Sequence, residues 1–542
     1  MDALRAAVRA RLSPFHVAES AAPAPEPGRW DPPPTPELES LAKKLAVPIV
    51  DLDALPLDRS VATFLPSSLA RKYRAVPLLE QDGLLVIAME NPADPRAQAA
   101  LDFVSPRHVM AMVATPSGMR SRIAHLYDQA EDAEMARALG LSLQCVGDTS
   151  PQEAERLARE QPVVKTIHDI IAEGVRRRAS DIHLRPRERD VELLYRIDDQ
   201  MVPVRRFLRS LSPALVSRIK VLAAMDLSEH RRPQDGRTTF ALEDGRKVDL
   251  RISVLPSVFG ESVDVRLLDT LESLKQLNEI GLSAADSNRL DEIMSRSHGL
   301  FLTTGPTGCG KSTTLYAMLL ELRRQPLNIL TIEDPVEFHI EDIQQMQVNR
   351  AAGFTFATAM RNFLRHDPDV IMVGEVRDRE TAAIAIESAL TGHLVLSTLH
   401  TNTAATSITR LLDLGIEPYL LRAALAGVMA QRLVRLNCEH CCEPEDVPEA
   451  LRAALGVGAE EVFRTGRGCS YCEGLGVYRR TAVYELLIVS PAIRRLLVAG
   501  AASDLIHDTA IAEGMVPITQ AALALARKGR ISLAEVWRVR AD

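Results

Sequence analysis

The chain has 542 residues, of which 46% are hydrophobic, 25% are charged and 4% are aromatic. This composition excludes global disorder, and the length exceeds what one hydrophobic core normally supports, so at about 150 residues per domain we expect three or four domains. The formal net charge of −8 gives no overall attraction to a polyanion, which argues against nucleic acid as the main partner.

The N-terminal segment has no long apolar core of the secretory type, and no apolar run in the chain approaches the length of a membrane span. We therefore expect a cytoplasmic protein whose membrane contact, if any, comes through partners or an amphipathic surface. Prolines are dense between positions 23 and 36, which favours an extended spacer. Residues 1–36 are interpreted as a basic arm and a proline-rich linker.

Residues 37–128 alternate short strands and helices. We predict a strand over 48–52, a helix over 67–73, a hairpin that turns at Asp82-Gly83 into a strand over 84–89, a helix over 96–103, a strand over 109–113 and a helix ending at Tyr127. These elements predict a small α/β domain without a catalytic cluster.

Residues 129–153 are acidic and weakly patterned, and we interpret them as a second linker. A second domain is expected over 154–272. It opens with apolar residues at helical spacing over 163–178, and runs of alternating polarity over 191–197 and 248–254 indicate strands of a half-exposed sheet.

A third domain, over 273–435, contains Gly305-Pro306-Thr307-Gly308-Cys309-Gly310-Lys311-Ser312, which fits the phosphate-binding pattern G-x-x-x-x-G-K-[ST]. A short apolar strand precedes this phosphate loop, and a helical pattern follows it. In that arrangement backbone N–H groups and the positive end of a helix face a phosphate chain, Lys311 adds a charge, and Ser312 reaches Mg²⁺. The alternative, a glycine-rich turn with a chance Lys-Ser, does not account for the flanking strand and helix.

Two later strands, over 328–332 and 369–373, each run into acidic residues, with Glu337 after the first and Glu375 after the second. A nucleotide hydrolase with a parallel sheet needs carboxylates at strand ends to hold Mg²⁺ and to orient the attacking water. Either acidic cluster alone could be a solvated turn.

A third strand, over 394–398, is bracketed by His393 and His400. We interpret these histidines as sensors of the γ-phosphate or of a neighbouring subunit. The alternative is two rings satisfied by backbone carbonyl groups.

Four cysteines form two C-x-x-C pairs, Cys438 with Cys441 and Cys469 with Cys472, in a segment spanning 436–480. Paired C-x-x-C turns in a reducing compartment indicate a structural zinc site with four thiolate ligands, and free thiols are the alternative. The remaining residues, 481–542, are expected to form a C-terminal helical subdomain.

The order of four motifs carries a specific resemblance. The phosphate loop is followed by Thr-Ile-Glu-Asp-Pro-Val-Glu-Phe (331–338), Asp-Pro-Asp-Val-Ile-Met-Val-Gly-Glu-Val-Arg-Asp (367–378) and Thr-Gly-His-Leu-Val-Leu-Ser-Thr-Leu-His-Thr (391–401). This order resembles the phosphate loop, aspartate box, Walker B and histidine box of the secretion ATPases of type II secretion and type IV pili. The resemblance implies an α/β, RecA-like P-loop core with a parallel-type central sheet, two smaller α/β domains before it, and a zinc-binding insertion. It also implies a homo-hexamer that hydrolyses ATP to drive assembly of a pseudopilus or pilus at the cytoplasmic face of the inner membrane.

The same resemblance implies roles for single residues. Ser312 and Glu375 hold Mg²⁺, Glu337 positions or deprotonates the water, and His393 and His400 belong to the catalytic set. ATP is held by Gly305, Pro306, Thr307, Gly308, Cys309, Gly310, Lys311, Ser312 and Thr313.

Segments within 179–266 resemble the second N-terminal domain of these motors, whose arginines close over the nucleotide. A triphosphate that loses its γ-group spreads negative charge, which a guanidinium group can neutralise. We expect this role first of Arg237 and Arg251, and the alternative for any one arginine is a surface ion pair. The further candidates are Arg266, Arg361 and Arg365.

The cysteine insertion indicates an assembly motor, because retraction-type relatives generally lack it. The run over 411–435 resembles the type II secretion branch more closely, with type IV pilus assembly as the alternative. The resemblance implies that residues 37–128 dock on the cytoplasmic part of an L-type membrane protein, with an F-type polytopic protein and acidic lipid as further contacts. The chain departs from the family at Asp199 and over 478–482, where relatives carry glycine more often.

Two other functions stay open. A nucleic-acid motor would share the RecA-like core but would need a basic channel with stacking aromatic residues, which the net charge and the aromatic content argue against. An adaptor that binds nucleotide without turnover ranks lower, because the acidic and phosphate-loop residues are all present.

Overall fold

The structure, a computed structural model, describes residues 36–45, 47–50, 52, 55, 59–81, 83–104, 108–114, 116–141, 151–242, 244–268, 274–469, 471–498 and 500–540. The chain divides into two compact units. The first runs up to Leu268 and includes Cys438–Cys442 and Gly466–Val477, and the second contains the rest. Apart from Pro36, the predicted N-terminal arm lies outside the described residues.

The first N-terminal domain is built on a four-stranded sheet in the order β1-β4-β3-β2. β2 and β3 form the antiparallel hairpin expected from the turn at Gly83, and β4 runs parallel to β3. The predicted helix over 67–73 and strand over 84–89 are confirmed. The elements are α1 (Pro36–Leu45), β1 (Ile49–Val50), α2 (Ser67–Tyr73), β2 (Ala75–Gln81), β3 (Leu84–Met89), α3 (Pro95–Val104), β4 (His108–Ala114) and α4 (Pro116–Ile123).

Helix α5 (Gln129–Ala138) stands where the sequence predicted a linker over 129–153. A π-helical turn, Ala124–Asp128, leads directly into it. Ala136 and Leu139 are buried in the core of the second domain. The linker prediction is therefore wrong for 129–138 and for 151–153, where the helix Pro151–Arg159 begins. In α5 the acidic residues Glu131 and Asp132 pair with arginines, while Ala136 packs in the core. Residues 142–150 lie outside the described residues.

The second domain contains a six-stranded sheet in the order β7-β6-β5-β10-β9-β8. Burial alternates along β9, as the alternating polarity predicted, so one face packs against helices and the other is open. The strands predicted over 191–197 and 248–254 are confirmed. The elements are α6 (Pro151–Arg159), α7 (Gln161–Arg176), β5 (Asp181–Pro186), β6 (Asp190–Ile197), β7 (Gln200–Leu208), α8 (Ser212–Leu222), β8 (Gln234–Ala241), β9 (Lys247–Ser257) and β10 (Gly260–Leu268).

The second unit is organised around a seven-stranded sheet in the order β13-β12-β14-β15-β11-β16-β19. The strands from β13 to β16 in that order pair in parallel. The side chains of β11, β12, β14 and β15 are buried, as expected for a sheet covered on both faces. Its elements up to β16 are α9 (Ala284–Met294), β11 (Gly299–Thr304), α10 (Lys311–Leu322), β12 (Ile329–Glu333), β13 (Gln344–Gln347), α11 (Phe356–Phe363), β14 (Val370–Val373), α12 (Arg379–Leu390), β15 (Leu394–Leu399), α13 (Ala404–Asp413), α14 (Pro418–Ala424) and β16 (Leu425–Asn437).

The C-terminal region shares its core with this sheet. Phe463, from the predicted insertion, and Val536, near the C-terminus, are buried in the same hydrophobic cluster as Val373. The elements are β17 (Cys442–Pro444), α15 (Glu449–Leu455), β18 (Arg464–Gly466), β19 (Val477–Ile488), α16 (Pro491–Val498), α17 (Ser503–Ala512), α18 (Ile518–Arg527) and α19 (Leu533–Val539). Among the described residues no helix has the length and apolarity that crossing a membrane requires.

Candidate active site and cysteine cluster

The phosphate loop joins β11 to α10 at the carboxyl-terminal edge of the seven-stranded sheet. Gly305, Gly308 and Gly310 have φ angles of 146°, 78° and 91°, which residues with a Cβ rarely adopt. A Cβ at Gly305 would lie 2.5 Å from the Cys309 Sγ atom and 2.5 Å from the Gln431 carbonyl oxygen. Glycine is therefore required both by the backbone conformation and by the packing of the loop against β16.

Lys311 and Ser312 form the start of α10. The Lys311 ammonium group donates to the carbonyl oxygens of Gly305 at 2.8 Å and Pro306 at 3.1 Å, so it is held inside the loop. Burial lowers the pKa of Lys311, and the negative charge of Glu375 acts in the opposite direction. Ser312 is exposed at the same edge. The loop thus presents a hydroxyl, an ammonium group and helix N–H groups at one place.

Gln431 and Arg432 on β16 support this loop, a role that no sequence motif indicated. The buried Gln431 amide donates to the Cys309 carbonyl oxygen at 2.7 Å and accepts from the Thr314 hydroxyl at 2.9 Å. The Arg432 guanidinium group donates to the carbonyl oxygens of Gln431 and Asn402. Gln431 is 122 positions from Cys309, so only the parallel pairing of β16 with β11 reveals the contact.

Two predicted acidic segments leave the sheet side by side, because β12 and β14 are adjacent and parallel. The Glu375 carboxylate, after β14, contacts Arg377 Nε at 2.5 Å and His400 Nε2 at 3.4 Å. Its charge also acts on Lys311. The structure therefore brings Glu375, His400 and the phosphate loop together.

Glu337 lies beyond the end of β12 and is half-buried. Its backbone N–H group donates to the Tyr316 hydroxyl at 3.2 Å. The same hydroxyl donates to the buried carboxylate of Glu333. Burial raises the pKa of Glu333, although hydrogen bonds from Tyr316, Thr331 and Gln345 act against this shift. From the sequence, Glu333 was expected only as part of the acidic cluster after this strand, and Tyr316 had no predicted role.

The two predicted histidines lie at opposite ends of β15. This strand runs parallel to β11, and the phosphate loop follows the carboxyl end of β11. His400 follows the same end of β15, whereas His393 precedes the other end, where its Nδ1 atom contacts the Ser388 carbonyl oxygen at 2.9 Å. His393 is therefore too far from the phosphate loop of the same chain to contact a γ-phosphate bound there. Its contact with a neighbouring subunit stays a prediction.

Arg237, Arg251 and Arg266 lie side by side on one face of the second domain's sheet. Arg237 is opposite Arg251 across β8 and β9, and Arg251 is opposite Arg266 across β9 and β10. The Arg266 Nε atom donates to the Asp181 carboxylate at 2.9 Å. Like charges directly opposite each other are unfavourable in an antiparallel pair, and the bond to Asp181 offsets part of the repulsion at Arg266.

Arg361 and Arg365 are exposed on and after α11. Arg361 forms an ion pair with Glu380, the alternative considered for it, and Arg365 donates to the Asn362 side chain. The His366 carbonyl oxygen accepts from Asn328, which precedes β12. Arg365 therefore lies toward the amino-terminal edge of the sheet and is not brought to the phosphate loop of its own subunit.

The four predicted cysteines converge, with all four Sγ atoms within 4.8 Å of one another. The separations are 3.8 Å for Cys438–Cys469, 3.8 Å for Cys441–Cys472 and 3.7 Å for Cys469–Cys472. Four sulfurs in a tetrahedron around Zn²⁺ at about 2.3 Å would be about 3.8 Å apart. Backbone N–H groups point at the sulfurs, as second-shell donors to thiolates do: those of Gly468, Cys469 and Gly476, each at 3.2 Å. The donor set therefore fits a tetrahedral thiophilic metal.

Two family profiles match the chain. The family described as Type II/IV secretion system protein matches residues 156–538. The family described as MshEN domain matches residues 45–133. The first match contains the second domain, the phosphate loop, the acidic strand ends and the cysteine cluster.

Individual relatives agree with the first profile. The chain is 46% identical over 380 residues to "Type II secretion system protein E" of Pseudomonas aeruginosa, which covers 69% of the chain and 76% of the relative. It is 38% identical over 507 residues to "Type II secretion system ATPase E" of Vibrio cholerae, covering 89% of the chain and 98% of the relative. It is 40% identical over 511 residues to "Type IV pilus assembly ATPase PilB" of Thermus thermophilus, covering 92% of the chain but only 56% of that longer protein.

A solved structure supports the fold alone. The Legionella pneumophila ATPase DotB superposes with a TM-score of 0.53 at 22% identity, covering 68% of the chain and 94% of DotB.

Proposed function

The chain belongs to the type II/IV secretion system protein family, and from that premise we propose that it is an ATPase whose turnover drives assembly of a pseudopilus in type II protein secretion. The observation that carries this proposal is the carboxyl-terminal edge of the seven-stranded sheet, where Lys311, Glu375 and His400 meet beside the segment that holds Glu337. Relatives named for type II secretion support the cellular role.

Each group at this edge has a role in phosphoryl transfer. Lys311 and the N–H groups of α10 bind phosphate oxygens, for which Lys311 gives up its bonds to the loop carbonyl oxygens. Ser312 and Glu375 are assigned to hold Mg²⁺, which would neutralise charge on the phosphates. Glu337 orients the attacking water and takes its proton. His400, in contact with Glu375, senses the γ-phosphate.

We assign to Arg237, Arg251 and Arg266 the neutralisation of the negative charge that develops on the γ-phosphate. Its support is the alignment of three guanidinium groups on one exposed sheet face. A guanidinium group that reaches this charge is worth about 10³ to 10⁵ in rate. Arg361 and Arg365 stay candidates only for contacts between subunits.

The cysteine cluster is assigned to a structural Zn²⁺ ion held by Cys438, Cys441, Cys469 and Cys472. Four thiolate ligands leave no open position for water, so the site stabilises the fold and does not take part in hydrolysis. The sulfur separations support this assignment.

We place the protein at the cytoplasmic face of the inner membrane as a homo-hexamer. Residues 37–128 are the proposed docking domain for an L-type membrane protein, with an F-type polytopic protein and acidic lipid as further contacts, and nucleic acid is not a partner. The formal net charge of −8 supports the last point.

Type IV pilus assembly is the second candidate, because the relative named PilB from Thermus thermophilus matches 92% of the chain. The two functions predict different phenotypes when ATP hydrolysis is blocked: loss of protein secretion for one, and loss of surface pili for the other. In the bacterium that encodes the chain, replacing the gene by the Glu337→Gln form should abolish release of secreted proteins and leave surface pili in place. Loss of pili with normal secretion would transfer the assignment to pilus assembly.

The ATPase proposal is tested by Glu337→Gln in purified protein. The amide keeps the size of the side chain but cannot accept a proton, so we expect ATP binding to persist while turnover falls by about 10² to 10⁴, the usual contribution of a general base. ATP binding and phosphate release are measured on the same preparation. Phosphate release at the wild-type rate would remove Glu337 from its assigned role.

A further inference from the structure

A buried hydrogen-bond network lies directly behind the segment that carries Glu337. Tyr316 belongs to α10 and Glu333 ends β12, and both are almost fully buried. The Tyr316 hydroxyl donates to the Glu333 carboxylate and accepts the backbone N–H of Glu337 at 3.2 Å. The Tyr316 ring also packs edge-on against Phe338, with centroids 5.9 Å apart. One tyrosine therefore contacts both the residue that carries the proposed base and its neighbour.

Gln345, on β13, extends the network along the same segment. Its amide nitrogen donates to Glu333 at 3.1 Å and to the Phe338 carbonyl oxygen at 3.0 Å. Its amide oxygen accepts the N–H of Ile340 at 2.7 Å. Three backbone groups between positions 337 and 340 are thus fixed by two side chains that meet at one carboxylate.

Burial of a carboxylate costs free energy of desolvation unless its oxygens accept hydrogen bonds. The Glu333 carboxylate accepts three, from Tyr316, Thr331 and Gln345. An apolar residue of similar volume at this position would avoid the cost of desolvation. The buried Glu333 therefore lowers the stability of the fold relative to an apolar residue, but it fixes the geometry of the segment beyond β12.

We propose that Tyr316, Glu333 and Gln345 are positioning residues that fix the backbone of Glu337 for attack on ATP. Tyr316 is on the helix whose first turn carries Lys311 and Ser312. The network therefore links the element that binds the phosphates to the residue that activates the water. This inference rests on the proposed ATPase function, in which Glu337 is the base.

The test is Tyr316→Phe in the full chain, with Tyr484→Phe as a matched control. The Tyr484 hydroxyl makes the same kind of bonds, accepting the N–H of Ser283 at 2.7 Å and donating to the Asp286 carboxylate at 2.9 Å. A displaced catalytic group can cost up to about 10² in rate, so we expect Tyr316→Phe to lower kcat by about 10- to 100-fold. ATP affinity should stay within about twofold, and the control should keep its kcat. An unchanged kcat for Tyr316→Phe, or an equal loss in both variants, would overturn the proposal.

A double variant separates positioning from a general structural effect. If Tyr316 acts through Glu337, adding Tyr316→Phe to Glu337→Gln should cause no further loss of turnover. A second loss of the same size would overturn the inference. Wild-type turnover by Glu337→Gln alone would instead refute the base assignment, whereas an inactive Glu337→Gln beside a fully active Tyr316→Phe would refute only the network.

Gln345→Met gives a second route if Tyr316→Phe does not fold. Methionine keeps the length of the side chain but removes the bonds to Phe338 and Ile340. We expect a lower kcat at unchanged ATP affinity, and wild-type kcat would count against the proposal.

Discussion

Asp132 is a buried carboxylate that ties α5 to the second domain. It accepts from Arg205 Nη2 at 2.6 Å and from the backbone N–H of Leu208 at 2.9 Å. Asp128 lies between Arg205 and Arg71. Burial raises the pKa of Asp132 to about 6, against the opposing effect of Arg205 and Leu208. Asp132 therefore titrates in the mildly acidic range.

We expect Asp132→Asn to change how stability depends on pH. Because the pKa of Asp132 is higher in the folded protein than in the unfolded chain, the folded state binds this proton more tightly, and wild-type protein loses stability relative to the variant as pH rises from about 4 to about 6. A shift of about 2 pKa units corresponds to about 3 kcal/mol. Thermal unfolding midpoints of both proteins at about pH 4.5 and about pH 7 measure this difference. A difference that is the same at both pH values would contradict the assignment.

Some functional residues could be predicted from the sequence, and others could not. The phosphate-loop glycines follow from a short local pattern, and their positive φ angles explain the pattern. Asp199, where glycine was expected, and Arg479, within the run 478–482 that was expected to be richer in glycine, also have positive φ angles of 66° and 68°. The departures were visible in the sequence, but the backbone angles were not. Tyr316 and Gln431 could not be predicted, because their partners depend on which strands pair.

Strands with a clear pattern of apolar and polar residues were predicted correctly. Buried apolar runs mark the parallel strands β11, β12, β14 and β15, and alternating polarity marks β9, because sheets covered on two faces and on one face need different patterns. Helix α5 was missed because few of its residues are apolar and buried. It is held instead by ion pairs with Arg71 and Arg205, which are distant in sequence. The predicted insertion over 436–480 was drawn too broadly, since Phe463 packs in the core of the second unit.

The cysteine segments give a prediction for metal removal. The four cysteines lie in Cys438–Cys442 and Gly466–Val477, while Val447, Val457 and Phe463, between these segments, are buried in a larger core. We expect chelation of Zn²⁺ to increase hydrogen exchange in these two segments and to leave α15 protected, because metal binding supplies the folding energy where there is little core. Hydrogen–deuterium exchange with and without chelator measures this.

Cys469→Ser should reproduce the effect of chelation, and Cys442→Ser is the control because it leaves the four clustered sulfurs intact. Loss of protection in both variants would argue against the ligand set. Reaction of all four cluster cysteines with a thiol reagent in the native protein would argue against a bound metal altogether.

At the level of the whole chain, membership of the secretion family and the parallel pairing from β13 to β16 confirm the predicted α/β P-loop fold, which was expected to follow two smaller α/β domains. The order of the domains was predicted from composition and periodicity. The grouping of the cysteine segments with the N-terminal half was not, because contacts between distant segments leave no local pattern: the Glu473 carboxylate pairs with Arg177, and Leu475 packs against the second domain's core.

The proposed function requires that the phosphate loop bind ATP and that carboxylates at neighbouring strand ends promote its hydrolysis. The most direct measurement is ATP binding and phosphate release by the purified full chain with Mg²⁺, beside Lys311→Ala. We predict that wild-type protein retains ATP at millimolar concentration and releases phosphate, and that Lys311→Ala does neither. Wild-type protein that fails to retain ATP under these conditions would contradict the account.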